Sequence, residues 1–404
     1  MPDPQDTVAW LAEQQAQSEP APSERLRRIA ALGAGGMGIV EIVHDQALDR
    51  QVAKKMLRPE LRDDPKARRV FLREAQLAAR LAHPNIIPIY DIGEDDGPFF
   101  TMQLVEGRSL TDLLATRPSV LFDLLTILTH VCDAAAFAHS RGVVHCDIKP
   151  DNIMVCDYGA VYLVDWGVAR VIDADAGAEI VGSPAYMAPE QAAGLRDLVM
   201  PASDVFALGA VLFHVLSGRP PYVGESVEET LGLARRGERP RLSELARVPL
   251  ALERIVDRAM ADQARDRYAS AEELKAALVR FMRGEDLPMR RFAAGELILR
   301  EGEVGDGAYV IESGRCEAFR LIDGERLVLR EMGPGEVFGE MAVLNAEPRT
   351  ASVIALEDTV VHEVSARTLE VEVGMLKPWM SAVIRTLAER FRHLERHSSP
   401  PSRA

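Results

Sequence analysis

The order in which hydrophobic periodicity changes along the chain constrains its fold most. Residues 26 to about 55 read as Gly-punctuated strands, and KARRVFLREAQLAARLA (66–82) carries apolar positions at helical spacing. HPNIIPIYDIG (83–93) and PFFTMQLVEG (98–107) read as strands again. The pattern then turns helical: LLTILTHVCDAAAFAHS (124–140) is amphipathic, and 203–216 and 251–282 contain further helices. Strands first and helices afterwards predict a two-lobed α+β domain ending near Arg283. GEDLPM (284–289) is a short linker by its Gly, Pro and charge. Beyond it come short strands with Gly turns (GELILREG, GAYVIESG, CEAFRLIDG, RLVLREMGPGE), the pattern of a small antiparallel barrel. KPWMSAVIRTLAERFRHLE (377–395), with Trp379, Val383, Leu387 and Phe391 four apart, predicts an amphipathic closing helix. Domains are thus expected at 26–283 and 290–396, with a flexible leader (1–25) and a frayed tail (397–404).

Composition removes several function classes. The 404 residues suffice for two or three domains with sizeable cores. Lys and Arg number 47 against 62 Asp and Glu, and a net charge of −15 argues against nucleic acid or an anionic membrane as partner. Cys132, Cys146, Cys156 and Cys316 show no CxxC spacing, so a reduced, cytoplasmic protein without a zinc site is expected. The chain opens MPDPQDTVAWLAEQQ, with no charged-then-apolar leader. Its longest apolar stretches, such as VFALGAVLFHVL (205–216), fall short of the roughly 20 residues a membrane span needs.

Phosphate chemistry is written in several places. LGAGGMGIV puts Gly33, Gly35 and Gly38 at G-x-G-x-x-G spacing, which lets backbone N–H groups approach phosphate oxygens. Alone the motif is weak, but QVAKKML supplies Lys55 about a strand later, and Glu74 in FLREAQLAARL can pair with it. HCDIKPDN (145–152) adds Asp147, suited to accept a hydroxyl proton, Lys149 to stabilise a transferring phosphoryl group, and Asn152. Asn152 and Asp165 of VDWG are hard oxygen donors of the kind magnesium prefers.

In this order the residues resemble a eukaryotic-type Ser/Thr protein kinase domain over 26–282, most like bacterial members: LGAGGMGIV, VAKK, Glu74, HPNI, HCDIKPDN, DWG, SPAYMAPE, SDVFALG and RDRY. The resemblance implies a bilobal kinase fold that takes ATP with Mg2+ or Mn2+ and acts on Ser/Thr of protein substrates. It implies Asp147 as catalytic base, with Lys149, and Lys55 paired with Glu74 on the α/β-phosphates. ATP would meet Leu32, Gly33, Ala34, Gly35, Gly36, Met37, Gly38, Val40, Ala53 and Lys55. Met102 would be the gatekeeper and Gln103, Leu104 and Val105 the adenine hinge. Asn152 and Asp165 would hold the metal, Glu190 would pair with Arg267, and Asp204 would brace the catalytic-loop backbone.

Two departures matter. Trp166 replaces phenylalanine in DWG and keeps a large apolar anchor. Cys146 stands where most relatives carry an arginine that neutralises a phosphate on the activation segment. Between Gly167 and Gly182 the segment has no Ser, Thr or Tyr, so receptor and modification site are missing together. Ser183 takes the place usual for threonine, bonding toward Asp147 and Lys149, and Tyr186 lies in the peptide-docking turn. Activity independent of activation-loop phosphorylation is expected, with Cys146 a buried, space-filling thiol.

FGEMAVLNAEPRTASV (338–353) is the candidate switch. A short helix from Gly339 would turn free N–H groups to an anion, Glu340 could accept from a ribose hydroxyl, and Arg349 could clamp a phosphate. An isolated Glu–Arg pair at this spacing is an ordinary surface salt bridge, but the context differs. Residues 290–396 resemble a cyclic nucleotide-binding domain, a jelly-roll-like β-barrel with flanking helices. The resemblance implies that Phe338, Gly339, Glu340, Met341, Ala342, Arg349, Thr350 and Ala351 meet cAMP or cGMP, with 377–395 as the lid; Trp379 on it could stack on the base, but a core-packing role is the reading preferred for a single aromatic. Ligand would draw that lid onto the barrel. MRRFAAG (289–295) looks like a pseudosubstrate, yet RRFAAGELI also reads as the first barrel strand, the reading preferred here. Two rivals stay open: a pseudokinase scaffold that senses nucleotide, and an active kinase whose barrel is a ligand-free docking module.

Overall fold

The computed structural model describes residues 25–116, 121–172, 182–284, 287–305, 307–322, 324–345 and 348–366, with scattered residues between 368 and 387. The leader, the tail, most of the activation segment between Asp173 and Val181, and the greater part of the closing helix lie outside the described residues. The chain divides into two compact units, one drawn from residues 1–117, 126–239 and 258–275, the other from 118–125, 240–257 and 276–404.

The first unit opens with a five-stranded antiparallel sheet in the order β1-β2-β3-β5-β4: Leu26–Ala34, Gly38–Asp45, Arg50–Leu57, Gly97–Gln103 and Ile89–Asp95 for β1, β2, β3, β5 and β4. The strand expected over 83–93 forms only from Ile89, because the ladder with β5 begins at the Ile89–Met102 pair. Helix Pro65–Ala79 starts where Asp64 accepts the Lys66 amide and Pro65 fills the first turn. It buries Ala67, Phe71 and Ala75, and the Phe71 ring meets Phe100 of β5 at 5.2 Å. That packing sets the helix beside the sheet, where Lys55 of β3 pairs in register with Phe100 and reaches Glu74 of the helix.

After a short β6 (Gly107–Ser109) the chain is mainly helical, with Leu121–Ser140, Pro201–Ser217, Val227–Arg236, Leu250–Ala259 and Ala271–Arg283. Two small sheets flank residues 145–152 in sequence: β6 with β8 (Ile153–Cys156) and β9 (Val161–Leu163), and β7 (Val143–Val144) with β10 (Arg170–Val171). Helix Leu121–Ser140 corrects one expectation: by length and composition alone it could cross a membrane. Its Leu125, Leu128, Val131, Ala134, Ala135 and Ala138 are almost fully buried, which is how the core helix of a folded domain passes the same test.

In the second unit eight strands make two four-stranded sheets, β11-β18-β13-β16 and β12-β17-β14-β15. Their ranges are Met289–Phe292 (β11), Leu297–Leu299 (β12), Gly307–Ser313 (β13), Cys316–Ile322 (β14), Glu325–Met332 (β15), Val337–Phe338 (β16), Ser352–Ala355 (β17) and Thr359–Ser365 (β18). Leu299, Tyr309, Ile311, Cys316, Met332, Phe338, Val353 and Val361 form the core between them. RRFAAGELI does not make a single strand. Gly295, at φ 84°, turns the chain so that β11 joins β18 and β12 joins β17 in the other sheet. Arg290 and Arg291 are thereby committed to a barrel strand, which removes the support for the pseudosubstrate idea.

Candidate functional site

The Gly-rich turn links β1 to β2. The Gly35 amide donates to the Gly38 carbonyl at 2.8 Å, and Arg58 Nε donates to the Gly35 carbonyl at 2.8 Å. A Cβ at Gly33 or Gly36 would meet nothing within 4 Å, whereas one at Gly38 would press on Lys55 Cε at 3.1 Å. The chain itself therefore does not demand glycine at 33 and 36. Open space over exposed backbone is what a phosphate cradle requires. Leu32 and Ala34 flank the turn and are exposed, Met37 and Val40 are half-buried, and Ala53 is buried on β3.

Lys55 Nζ lies 2.5 Å from Glu74 Oε1 and 3.7 Å from Asp165 Oδ1. Burial pushes the Glu74 carboxyl above its usual range, only partly offset by Lys55, and Asp165 adds to the rise. Met102 and Gln103 end β5, followed by Leu104 and Val105, all half-buried. Gln103 Nε2 donates to the Tyr162 hydroxyl at 3.0 Å, tying the hinge to β9.

Around the catalytic loop the residues converge. Lys149 Nζ donates to Asp147 Oδ2 at 2.8 Å and to Ser183 Oγ at 2.7 Å. Asn152 Nδ2 donates to the Asp147 carbonyl at 2.8 Å and to Asp147 Oδ2 at 3.2 Å, which leaves its oxygen as the atom able to face a cation. Asp147 Oδ1 is buried with no hydrogen-bond partner. A buried orphan acceptor is costly, and a substrate hydroxyl would satisfy it. Cys146 (φ 68°) and Asp165 (φ 63°) both take left-handed backbone that non-glycine residues seldom adopt, held here by the surrounding bonds. Among the described residues no group of three or more His, Cys, Asp and Glu could hold a metal ion, while Asn152 and Asp165 carry oxygen donors of the hard kind.

The supports are buried. Asp204, 1% exposed, accepts the amides of His145 and Cys146 at 2.8 and 2.9 Å, and His139 Nε2 lies 2.7 Å from its second oxygen. Burial raises the Asp204 carboxyl, but His139 and the amides outweigh it and leave it below its usual range. Arg267 grips Glu190 with two bonds of 2.8 Å, and Ser203 Oγ adds a third at 2.7 Å. Trp166 is buried and meets the His145 ring edge-on at 4.6 Å. His139, Gln103's partner Tyr162, Ser203 and Gln191, whose Nε2 donates to the Cys146 carbonyl, were not singled out from sequence; they carry no periodic or spacing signal. Cys146 itself is 6% exposed, and burial pushes its thiol well up.

In the barrel, helix Glu340–Asn345 follows Gly339, which sits at φ 78°. Arg349 is 5% exposed, and its guanidinium donates to the carbonyls of Gly339 and Gly307, each at 2.6 Å. Among the described residues no carboxylate pairs with it. A Cβ at Gly339 would come 2.7 Å from Arg349 Nη1, and one at Gly305 would come 2.7 Å from Cζ, so both glycines make room for this cation. Phe338 and Ala342 are buried, Glu340, Met341 and Ala351 half-buried, and Thr350 exposed. Trp379, Val383 and Leu387 are exposed, while Phe391 and all residues from 388 on lie outside the described residues.

Residues 26–278 match the protein kinase domain family, and residues 289–371 match the cyclic nucleotide-binding domain family. Serine/threonine-protein kinase PknB of Mycobacterium tuberculosis is 38% identical over 276 residues, covering 65% of this chain and 44% of the relative. Serine/threonine-protein kinase PrkC of Bacillus subtilis is 36% identical over 280 residues, covering 68% and 43%. The chain thus spans less than half the length of these curated relatives. The crystal structure of the Mycobacterium tuberculosis PknI kinase domain is similar in fold, with a TM-score of 0.51, 30% identity, and coverage of 65% of this chain and 98% of that one. The chain belongs to the protein kinase family and carries a cyclic nucleotide-binding domain after its kinase domain.

Proposed function

We propose that the chain is an ATP- and magnesium-dependent protein serine/threonine kinase that needs no phosphate on its activation segment and responds to cAMP or cGMP. Its main support is Asp147, a carboxylate with one oxygen held by Lys149 and Asn152 and the other buried without a partner. Such an atom suits the acceptance of a proton from a serine or threonine hydroxyl. Lys149, bridging Asp147 and Ser183, favours a Ser/Thr substrate held beside the base. Lys55 and Glu74 would fix the α/β-phosphates, the Gly33–Gly38 turn would cover them, and bound magnesium would neutralise charge developing on the phosphoryl group. Free cysteines throughout favour a cytoplasmic setting.

For the effector, the support is Arg349, a buried cation on two carbonyls with no described counter-charge. An anionic phosphate would supply that charge. Asp147→Asn tests the catalytic reading: transfer from Mg-ATP to a basic protein should fall by about 10³-fold or more while ATP still binds. Unchanged transfer would overturn the assignment.

A further inference from the structure

We propose that the exposed basic face of helix Pro65–Ala79 is a docking surface for the chain's own acidic leader, residues 3–24. The inference goes beyond the phosphoryl-transfer reading, and its test needs no assay of activity.

The face carries charge without partners. Arg69, Arg73 and Gln76, with Arg80 at the C-cap, recur at helical spacing and are all exposed. They line the side of the helix opposite the buried Ala67, Phe71 and Ala75. Among the described residues the side chains of Arg69, Arg73 and Arg80 make no hydrogen bond and no ion pair, whereas Arg68 beside them binds Glu94 at 2.7 Å. A chain of net charge −15 thus keeps three unpaired guanidinium groups in one row. Like charges one turn apart repel along a helix. The first turn adds no acidic residue to the Asp64 cap, so nothing within the helix offsets them. A neighbour of opposite charge would relieve the strain.

Charge and reach identify the occupant. Residues 1–24 include Asp3, Asp6, Glu13, Glu19 and Glu24 and no Lys, Arg or His. Where the leader joins the fold, Arg25 Nη1 donates to Asp91 Oδ2 of β4 at 3.3 Å. Arg68 of the helix binds Glu94 on that same strand. The leader therefore enters the domain one short strand away from the helix. Its 24 residues span up to about 80 Å when extended, against about 22 Å for the helix, so every arginine of the row is within reach. Tethering holds the local concentration near the millimolar scale, where exposed ion pairs that are weak singly act together. The same helix carries Glu74, 2.5 Å from Lys55, so an occupied row bears on the element that sets that pair.

The test uses the full chain, limited chymotrypsin cleavage at Trp10–Leu11, and amide exchange over residues 66–79. Docking predicts that at low salt the parent is cut about fivefold or more slowly than Arg69→Glu/Arg73→Glu, the scale of several exposed ion pairs together. This protection should vanish in 1 M salt, where the screening length is about 3 Å. Adding Asp6→Lys and Glu13→Lys to the helix double variant should restore it, a rescue that general loss of fold would not show. Changing the leader alone, by Asp3→Asn, Asp6→Asn, Glu13→Gln, Glu19→Gln and Glu24→Gln, leaves the helix sequence intact and should quicken exchange over 66–79. Equal cleavage of parent and helix variant at low salt would overturn the proposal and assign the row to another acidic occupant. Protection that survives 1 M salt, failure of the charge-reversed leader to rescue, or unchanged exchange with the neutral leader would each overturn it as well.

Discussion

Asp204 holds the backbone of Cys146: its Oδ1 accepts the Cys146 amide at 2.9 Å, while Oδ2 accepts the neighbouring His145 amide at 2.8 Å. The two bonds brace the catalytic-loop backbone where Cys146 takes its left-handed conformation, at φ 68°. Asp204→Ala leaves both buried amides without acceptors, at about 1–3 kcal/mol each. Thermal unfolding should therefore begin several degrees lower, and kcat should fall far more than the affinity for ATP.

Glu190 and Arg267 give a prediction with a sign in pH. Burial alone raises the Glu190 carboxyl, but the two Arg267 bonds and Ser203 outweigh it, so the folded value lies below the ordinary 4.5. A depressed folded value means stability that is present above pH 4.5 and lost as pH falls through the folded value. Glu74 runs the other way: its carboxyl is raised, so its contribution is present below 4.5 and fades as pH rises. Glu190→Gln should cost about 3–5 kcal/mol at neutral pH by leaving Arg267 buried and unpaired. Denaturant melts from pH 7 down to acid should show the parent losing stability more steeply than the variant.

Lys55 and Asp165 separate binding from chemistry. Lys55→Met leaves buried Glu74 without its partner and should lower kcat by about 10²–10³-fold. Asp165→Ala should abolish magnesium-dependent transfer while leaving the thermal midpoint within a few degrees, since Asp165 is half exposed. Transfer assays run alongside unfolding scans check both.

In the barrel, Arg349→Ala should weaken cyclic nucleotide binding by about 10²-fold through loss of a bidentate anion contact. Gly339→Ala should do the same for a different reason, because a Cβ would meet Arg349 Nη1 at 2.7 Å on a backbone at φ 78°. Calorimetry with cAMP and with cGMP measures each. Binding at parental strength by either variant would contradict the Arg349 assignment.

The candidate site residues stand out in the sequence because phosphate chemistry leaves little choice of residue type, so Lys55, Asp147, Asn152 and Asp165 are picked by identity and order, and the fold brings Lys55 to Asp165 and Asn152 to Asp147. Their supports are not legible in this way. His139 reaches Asp204 from 65 positions away, and Gln191 reaches the Cys146 carbonyl from 45, pairings that only the tertiary fold creates. The core helices were visible by period, but Leu121–Ser140 looked shorter than it is because only its most regular part carried the pattern. RRFAAGELI read as one strand since its apolar residues fit a barrel wall. Gly295 decides otherwise by turning the chain between sheets, which periodicity alone does not report.

The most direct test is phosphate transfer from Mg-ATP, to the protein itself and to a basic substrate, without nucleotide, with cAMP and with cGMP, after phosphatase treatment and with Asp165→Ala as blank. The account predicts transfer from the phosphatase-treated parent, changed by at least about fivefold by one of the two nucleotides, and none from Asp165→Ala. No transfer by the parent under any of these conditions would contradict it.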